Sequence, residues 1–196
     1  MPDRRFVLPA LVLAAAACVH LATLHLMLNP RVGPEYKARF IDQSTECLEV
    51  PPPPVLEALP AQLPVRGASR PRCSALLPLG WHPAEDWGVW SASPRATLAF
   101  TLAPGVQPAE LRLVLHLHGA EQHPRSLTIL VNGAPAMTER LTHADPVEIT
   151  IPGTRLPAGA THRVTLRLDR LYSPRRLGTG QDTRPLGIAL HEASLR

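Results

Sequence analysis

The chain has 196 residues with a formal net charge of +4, a length that suits one well-buried domain with an appendage but not two ordinary domains and a linker. Its 23 prolines exceed twice the usual share of roughly 5%, and they disfavour an all-helical fold because proline cannot donate a backbone hydrogen bond. The basic residues, all arginine except Lys37, form no run that would follow a phosphate backbone, so no nucleic-acid partner is predicted.

The first predicted element is a transmembrane helix over residues 6–28, preceded by a cytoplasmic tail of residues 1–5. The 23 residues hold no Asp, Glu, Lys or Arg, and as a helix they extend about 34 Å, enough to cross a hydrocarbon core of about 30 Å. A cleaved signal peptide remains an alternative, since Arg4 and Arg5 precede the apolar run and Ala15 to Ala17 offer cleavage sites. We predict an uncleaved signal anchor in the bacterial inner (cytoplasmic) membrane, single-pass, with the following domain in the periplasm.

Residues 29–78 form a predicted proline-rich connecting segment. The run Pro51 to Pro54 favours an extended polyproline II spacer. Cys47 and Cys73 flank this run, and in an oxidising compartment we expect them to form a disulfide. Closing the loop would stabilise the fold by roughly 3 to 4 kcal/mol. No Cys/His grouping has the spacing of a zinc site, so no metal is predicted.

Residues 79–196 are predicted to fold as an all-β domain, an antiparallel β-sandwich or jelly roll. Apolar residues alternate with polar ones in short segments, the period of half-buried strands. The dipeptide Asn132-Gly133 predicts a hairpin, since a type I′ turn needs positive φ at both central residues. The predicted strands are residues 96–102, 111–118, 127–131, 147–151, 163–168 and 186–190.

The segment Gly80 to Ser91 holds all three tryptophans, Trp81, Trp87 and Trp90, together with Glu85. Indole rings can stack on sugars, and a neighbouring carboxylate can accept hydrogen bonds from hydroxyl groups. The alternative is that Trp81 and Trp90 fill the end of the sandwich core.

A second candidate group lies before the last strand. Arg184 can clamp an acidic sugar or phosphate with Asp182 orienting it, or pair with Glu85 and brace the tryptophan segment against the last strand. Because a jelly roll brings its first and last strands together, the two motifs are expected to meet. His116 and His118, with His123 in the next turn, could in principle bind a metal, but a solvated strand face is favoured.

The motif order GWxxxExWGxWS from Gly80, alternating strands, VNG, SP and DxRxLGI from Asp182 resembles a known type of domain. This is the non-catalytic, galactose-binding-like β-sandwich found C-terminal to the membrane part of some bacterial envelope glycosyltransferases. The resemblance covers residues 79–196 and implies an exported domain that works on, or beside, cell-surface polysaccharide. The sequence lacks a multi-pass catalytic portion, so glycosyltransferase activity would belong to a partner.

Catalysis is not predicted, because the sequence has no GxSxG, P-loop or GxGxxG motif. We expect a membrane-anchored accessory protein of envelope polysaccharide assembly, with no cofactor. Its predicted partners are the membrane, a cell-surface glycan and a polytopic membrane glycosyltransferase or transporter. The alternative is a structural subunit of a membrane complex without sugar binding, in which the small residues Ala14 to Ala17 pack against partner helices.

Overall fold

A computed structural model describes residues 4–28, 51–67, 74–143 and 145–196. The chain divides into two compact units, Met1–Gln43 and Ser44–Arg196. The first contains helix α1 (Arg4–Leu28), which is rich in the good helix formers leucine and alanine. Over the residues that the structure describes, no helix combines the length and the hydropathy of a membrane span. The transmembrane role of residues 6–28 stays a prediction.

The second unit is a β-sandwich, which confirms the predicted fold class. The strands within the described residues are β1 (Val55–Leu56), β2 (Ala61–Leu63), β3 (Val89–Trp90), β4 (Arg95–Leu102), β5 (Glu110–Leu117), β6 (Arg125–Val131), β7 (Ala134–Leu141), β8 (Val147–Pro152), β9 (Thr161–Leu168) and β10 (Ile188–Leu195). One sheet has the strand order β1-β4-β9-β6-β7 and the other β2-β10-β5-β8, with β3 also paired to β10. The pairs are antiparallel except for β1 with β4.

Alternation places the core as the sequence predicts. In β5 the leucines are buried and the residues between them are partly exposed. The same pattern in β6 and β9 sends apolar side chains into the space between the sheets. Phe100 of β4 is fully buried in this core. The period of two therefore decides which face of β5, β6 and β9 is buried.

The Asn132-Gly133 hairpin is confirmed. Both residues have positive φ, 51° and 85°, and Val131 pairs with Ala134 across the turn. The turn starts β7, which the sequence analysis did not predict. This edge strand has one buried residue, Leu141, so it carries almost no alternation in hydrophobicity.

The structure places the start of the sandwich and the bounds of the last strand differently from the prediction. The sandwich begins before residue 79, because β1 and β2 add to the edges of β4 and β10 while Leu63 enters the core at 1% exposure. The last strand starts at Ile188 and runs to Leu195, later and longer than predicted.

Cys47 and Cys73 lie outside the described residues, so their disulfide stays a prediction. Cys18 in α1 is a free, exposed thiol.

Candidate functional site

The tryptophan segment folds back on itself and is attached to the last strand. His82 N–H donates to Trp90 O at 2.9 Å, and Glu85 pairs with Gly88 at the tip. In β3, Val89 and Trp90 pair with Leu190 and Ala189 of β10. A Cβ added to Gly88 would collide with the backbone carbonyl of Leu190, so the close approach of tip and strand requires glycine.

The segment before β10 lies beside the tryptophan segment. Ser91 accepts a hydrogen bond from Ile188 N–H through its side chain, at 2.9 Å, and from Gly187 N–H through its carbonyl, at 3.1 Å. His82 Nε2 lies 2.9 Å from the carbonyl of Pro185. These contacts bring together two motifs about a hundred residues apart in sequence.

The three tryptophans have different environments. Trp81 is 2% exposed and donates from Nε1 to the carbonyl of Thr97 at 2.8 Å, so it belongs to the core. Trp87 and Trp90 are only partly buried, and their ring centroids lie 5.4 Å apart in an edge-to-face arrangement. The predicted sugar-stacking role is therefore open to Trp87 and Trp90 and not to Trp81.

Three histidines extend this pair into what we call the aromatic-histidine surface: Trp87, Trp90, His116, His118 and His191. The ring of Trp90 lies 5.8 Å from that of His116 on β5 and 6.0 Å from that of His118, which follows β5. His191 lies 5.0 Å from Trp87 and 6.0 Å from His116, at the point where a register shift interrupts the pairing of β10 with β5. His116 and His118 are both partly exposed and each ring contacts Trp90, so the strand face expected to be solvated is solvated only in part.

This packing changes the acid–base properties of the histidines. Burial lowers the pKa of His118, and the nearby charges of His116 and Arg125 lower it further. Burial also lowers the pKa of His191, assisted by His116 and Arg66. Burial therefore favours the neutral form of both imidazole rings. Among the described residues, no three His, Cys, Asp or Glu side chains are grouped as a metal site.

Beside Trp87 lies a charged group that we call the arginine bracket: Glu85, Asp182 and Arg184. Arg184 donates to Asp182 Oδ2 from Nη2 at 2.7 Å and from Nε at 2.9 Å. Its distances to Glu85 Oε1 are longer, 3.4 Å and 3.5 Å. The other oxygen of Glu85 accepts from Trp87 Nε1 at 2.8 Å, which links the bracket to the aromatic-histidine surface.

Asp182 is the stronger partner of Arg184. Its Oδ1 also accepts from the backbone N–H of Arg184 at 2.8 Å, and these hydrogen bonds lower the pKa of Asp182 and raise that of Arg184. The side chains of Arg184 and Glu85 are 44% and 37% exposed. At these exposures the Arg184–Glu85 pair is screened by solvent, so it contributes much less to stability than a deeply buried ion pair would.

His191 was not predicted as a site residue, and His123 lies elsewhere, stacked on Tyr172 with ring centroids 4.8 Å apart. In the sequence, the only indication for His191 is that it directly follows the predicted last strand, residues 186–190. That signal is weak because a bulge between Leu190 and Glu192 disrupts the strict alternation.

No family model matches the chain, and no curated protein matches it. Among solved structures, it is similar to the carbohydrate-binding module CBM36 in complex with calcium and xylotriose, at 12% identity over 56% of this chain and 80% of that one, with a TM-score of 0.35. It is also similar to a family 35 carbohydrate-binding module from an environmental isolate, at 15% identity over 59% and 72%, with a TM-score of 0.33. Because these identities and TM-scores are low, the β-sandwich is assigned from the two observed sheets and not from the similarity.

Proposed function

We propose that this protein is a non-catalytic, membrane-anchored accessory protein of cell-envelope polysaccharide assembly, and that its sandwich binds glycan at the aromatic-histidine surface. The observation that carries the proposal is the adjacent, partly exposed pair Trp87 and Trp90 beside the arginine bracket. The galactose-binding-like, jelly-roll assignment is part of this proposal.

The chemistry of the surface suits a sugar. The indole rings of Trp87 and Trp90 offer apolar area to the C–H face of a pyranose. Glu85 and Asp182 provide carboxylate acceptors for hydroxyl groups, and Arg184 provides donors for hydroxyl or carboxylate oxygens. A few directional polar groups around an apolar contact are the usual composition of a small-ligand site.

The surface is also held in place before a ligand arrives. Glu85 fixes the Trp87 indole through its N–H, and β3 is hydrogen-bonded to β10. Rotamers that are already restricted lose little entropy on binding. This preorganisation supports binding rather than a purely random exposure of two aromatic rings.

Membrane anchoring is proposed from helix α1. In this helix the side chain of His20 hydrogen-bonds to the carbonyl of Ala16, and that of Thr23 to the carbonyl of Val19, each one turn earlier and at 2.8 Å. Polar side chains that bond to their own helix are tolerated in hydrocarbon better than those without a partner. We therefore retain the single-pass anchor and the extracytoplasmic location of the sandwich as a proposal.

The alternative function, a subunit of a membrane complex that binds no sugar, is favoured by one observation. Ala14 to Ala17 are exposed in α1, and small residues permit close helix packing. Copurification of the full-length protein from mild detergent with a polytopic protein, without any glycan response, would select this alternative.

The glycan proposal is tested by binding of the full-length protein to a panel of envelope polysaccharides and their oligosaccharides. Trp87→Ala and Trp90→Ala should each weaken binding at least tenfold, about 1.4 kcal/mol, by removing the stacking surface. Val55→Ala, which trims an exposed apolar side chain on the other sheet, is the matched control and should not change affinity. Binding unaffected by both tryptophan variants, or no binding to any glycan, would contradict the proposal.

Location is tested separately with reporters fused after Arg196. A phosphatase reporter should be active, and a reporter that fluoresces only in the cytoplasm should be dark. The opposite pattern would reject the exported location while leaving glycan binding open to its own test.

A further inference from the structure

The outer face of the first sheet collects arginines that are far apart in the sequence. Arg95 lies on β4, Arg163 and Arg167 lie on β9, and Arg140 lies on β7. All four are exposed, and on β9 the exposed residues alternate with buried ones that enter the core. We call these four residues the arginine face. In the sequence these arginines are scattered, and only the strand order of the sheet brings them onto one face.

These arginines have no acidic partners within the described residues. No described carboxylate lies within 4.0 Å of any of the four guanidinium groups. Arg95 and Arg167 even lie directly opposite each other in the β4–β9 pair. Like charges in that relation destabilise a sheet.

The second sheet shows the opposite arrangement. There Arg112 contacts Glu148 at 2.6 Å and Glu192 at 2.9 Å, one on each neighbouring strand. Cross-strand neutralisation therefore occurs in this fold, but it does not occur on the arginine face. A retained repulsion with no internal compensation is what an anionic ligand would neutralise.

The floor between the arginines is polar. Cross-strand threonine pairs cover it, with Oγ1 distances of 3.0 Å for Thr97 and Thr165 and 2.8 Å for Thr101 and Thr161. Thr97 is buried, so the hydroxyl groups open to a ligand are those of Thr101, Thr161 and Thr165. Sugar hydroxyl groups are suitable partners for such a floor.

The spacing of the positive charges favours an extended ligand. Arg163 and Arg167 are four residues apart on one strand, which corresponds to about 13 Å. Arg95 adds a charge on the adjacent strand, about 5 Å from Arg167 at the Cβ atoms. A polymer with repeated negative charges can contact several of these groups at once, whereas a single small anion cannot.

We propose that the arginine face binds an acidic polysaccharide, through its carboxylates at the arginines and its hydroxyl groups at the threonines. Single-stranded nucleic acid is less suitable, because its binding surfaces add aromatic rings and the described strands place none on this face. A membrane surface is less suitable too, since Val55 is the one large hydrophobic side chain in the described part of this sheet that is exposed. The arginine face lies on the other sheet from the aromatic-histidine surface, so this inference does not depend on the function proposed above.

The test measures binding of the purified full-length protein to polygalacturonate, with dextran as the neutral polymer. Arg95→Gln combined with Arg167→Gln should weaken binding to polygalacturonate by roughly two- to thirty-fold. The dependence of affinity on salt should also become shallower, because fewer counterions are released. The matched control, Arg175→Gln with Arg196→Gln, removes the same charge from exposed positions off these strands and should retain full affinity.

Stability separates a binding role from a structural one. The double variant at Arg95 and Arg167 removes a like-charge pair, so its Tm should equal or exceed that of the parent protein. The loss of polygalacturonate binding caused by the Arg95 and Arg167 double variant should be the same in a Trp87→Ala background, which keeps the two surfaces distinguishable. Equal losses in the two double variants, or no binding to polygalacturonate at low salt, would overturn the proposal. So would a preference for single-stranded RNA, or for micelles doped with phosphatidylglycerol, that depends on Arg95 and Arg167.

Discussion

Replacing Trp81 by alanine should destabilise the sandwich far more than replacing Trp87. Trp81 is 2% exposed, and its N–H satisfies the carbonyl of Thr97. Removing a buried indole costs about 3 to 5 kcal/mol, since the lost transfer free energy is joined by that of the cavity. The stability of a whole domain is only about 5 to 15 kcal/mol. We therefore expect a loss of about 3 to 5 kcal/mol for Trp81→Ala.

The corresponding loss for Trp87→Ala should be about 1 to 2 kcal/mol. Its ring is partly exposed already, and the Glu85 carboxylate that it leaves is 37% exposed and can be hydrated. For a unit of this size, each kcal/mol corresponds to about 2 to 4 °C in Tm, so the two variants should differ by several degrees.

Urea denaturation of the full-length variants, followed by the fluorescence of the two remaining tryptophans, measures both free energies. Trp81→Phe is the milder variant if Trp81→Ala does not fold, and it should lose about 1 to 3 kcal/mol by leaving the Thr97 carbonyl without its donor. Equal losses at Trp81 and Trp87, or a loss below 1 kcal/mol for Trp81→Ala, would refute the division into one core and two surface tryptophans.

Three further predictions concern the surroundings of the surface. Asp182→Ala should lower the free energy of unfolding by about 1 to 2 kcal/mol and Asp182→Asn by less, because the amide keeps an acceptor for Arg184 N–H. Since folding lowers the pKa of Asp182, thermal scans should show the parent protein more stable than Asp182→Asn above about pH 4, and this difference should vanish as the pH falls through the native pKa. A difference that grows in acid would contradict this. Folding lowers the pKa of His118 and His191, so the unfolded state binds more protons below about pH 6.5, and stability should fall from pH 7 toward pH 5 by at most about 1.4 kcal/mol per pH unit for each histidine. Changing both histidines to asparagine should flatten this dependence of stability on pH, and an unchanged slope would exclude them as its cause. Gly88→Ala should lower the free energy of unfolding by about 1 to 3 kcal/mol and weaken glycan binding in calorimetry, because the new methyl group pushes the tip of the tryptophan segment away from β10. No effect on either would show that this tip does not lie tightly against β10.

Much of the candidate site could be expected from sequence because its residues are concentrated in two short motifs. Trp87, Trp90, Glu85, Asp182 and Arg184 all lie in the segments singled out by their residue types. What the pattern could not supply was which tryptophan is buried, since all three sit within ten residues of the same kind of sequence. The distinction comes from the position of Trp81 against the carbonyl of Thr97, a contact with a different strand.

The sequence by itself determined the elements whose causes are local. A period of two specifies the buried face of β5, and the positive φ values that Asn132 and Gly133 tolerate specify the hairpin. The tertiary structure alone decided which distant side chains meet. The pairing of β4 with β9 places Arg95 opposite Arg167, and the bulge in β10 places His191 beside Trp87. These neighbours depend on strand order and register, which arise from packing of the whole sandwich and leave no periodic signal in the residues themselves.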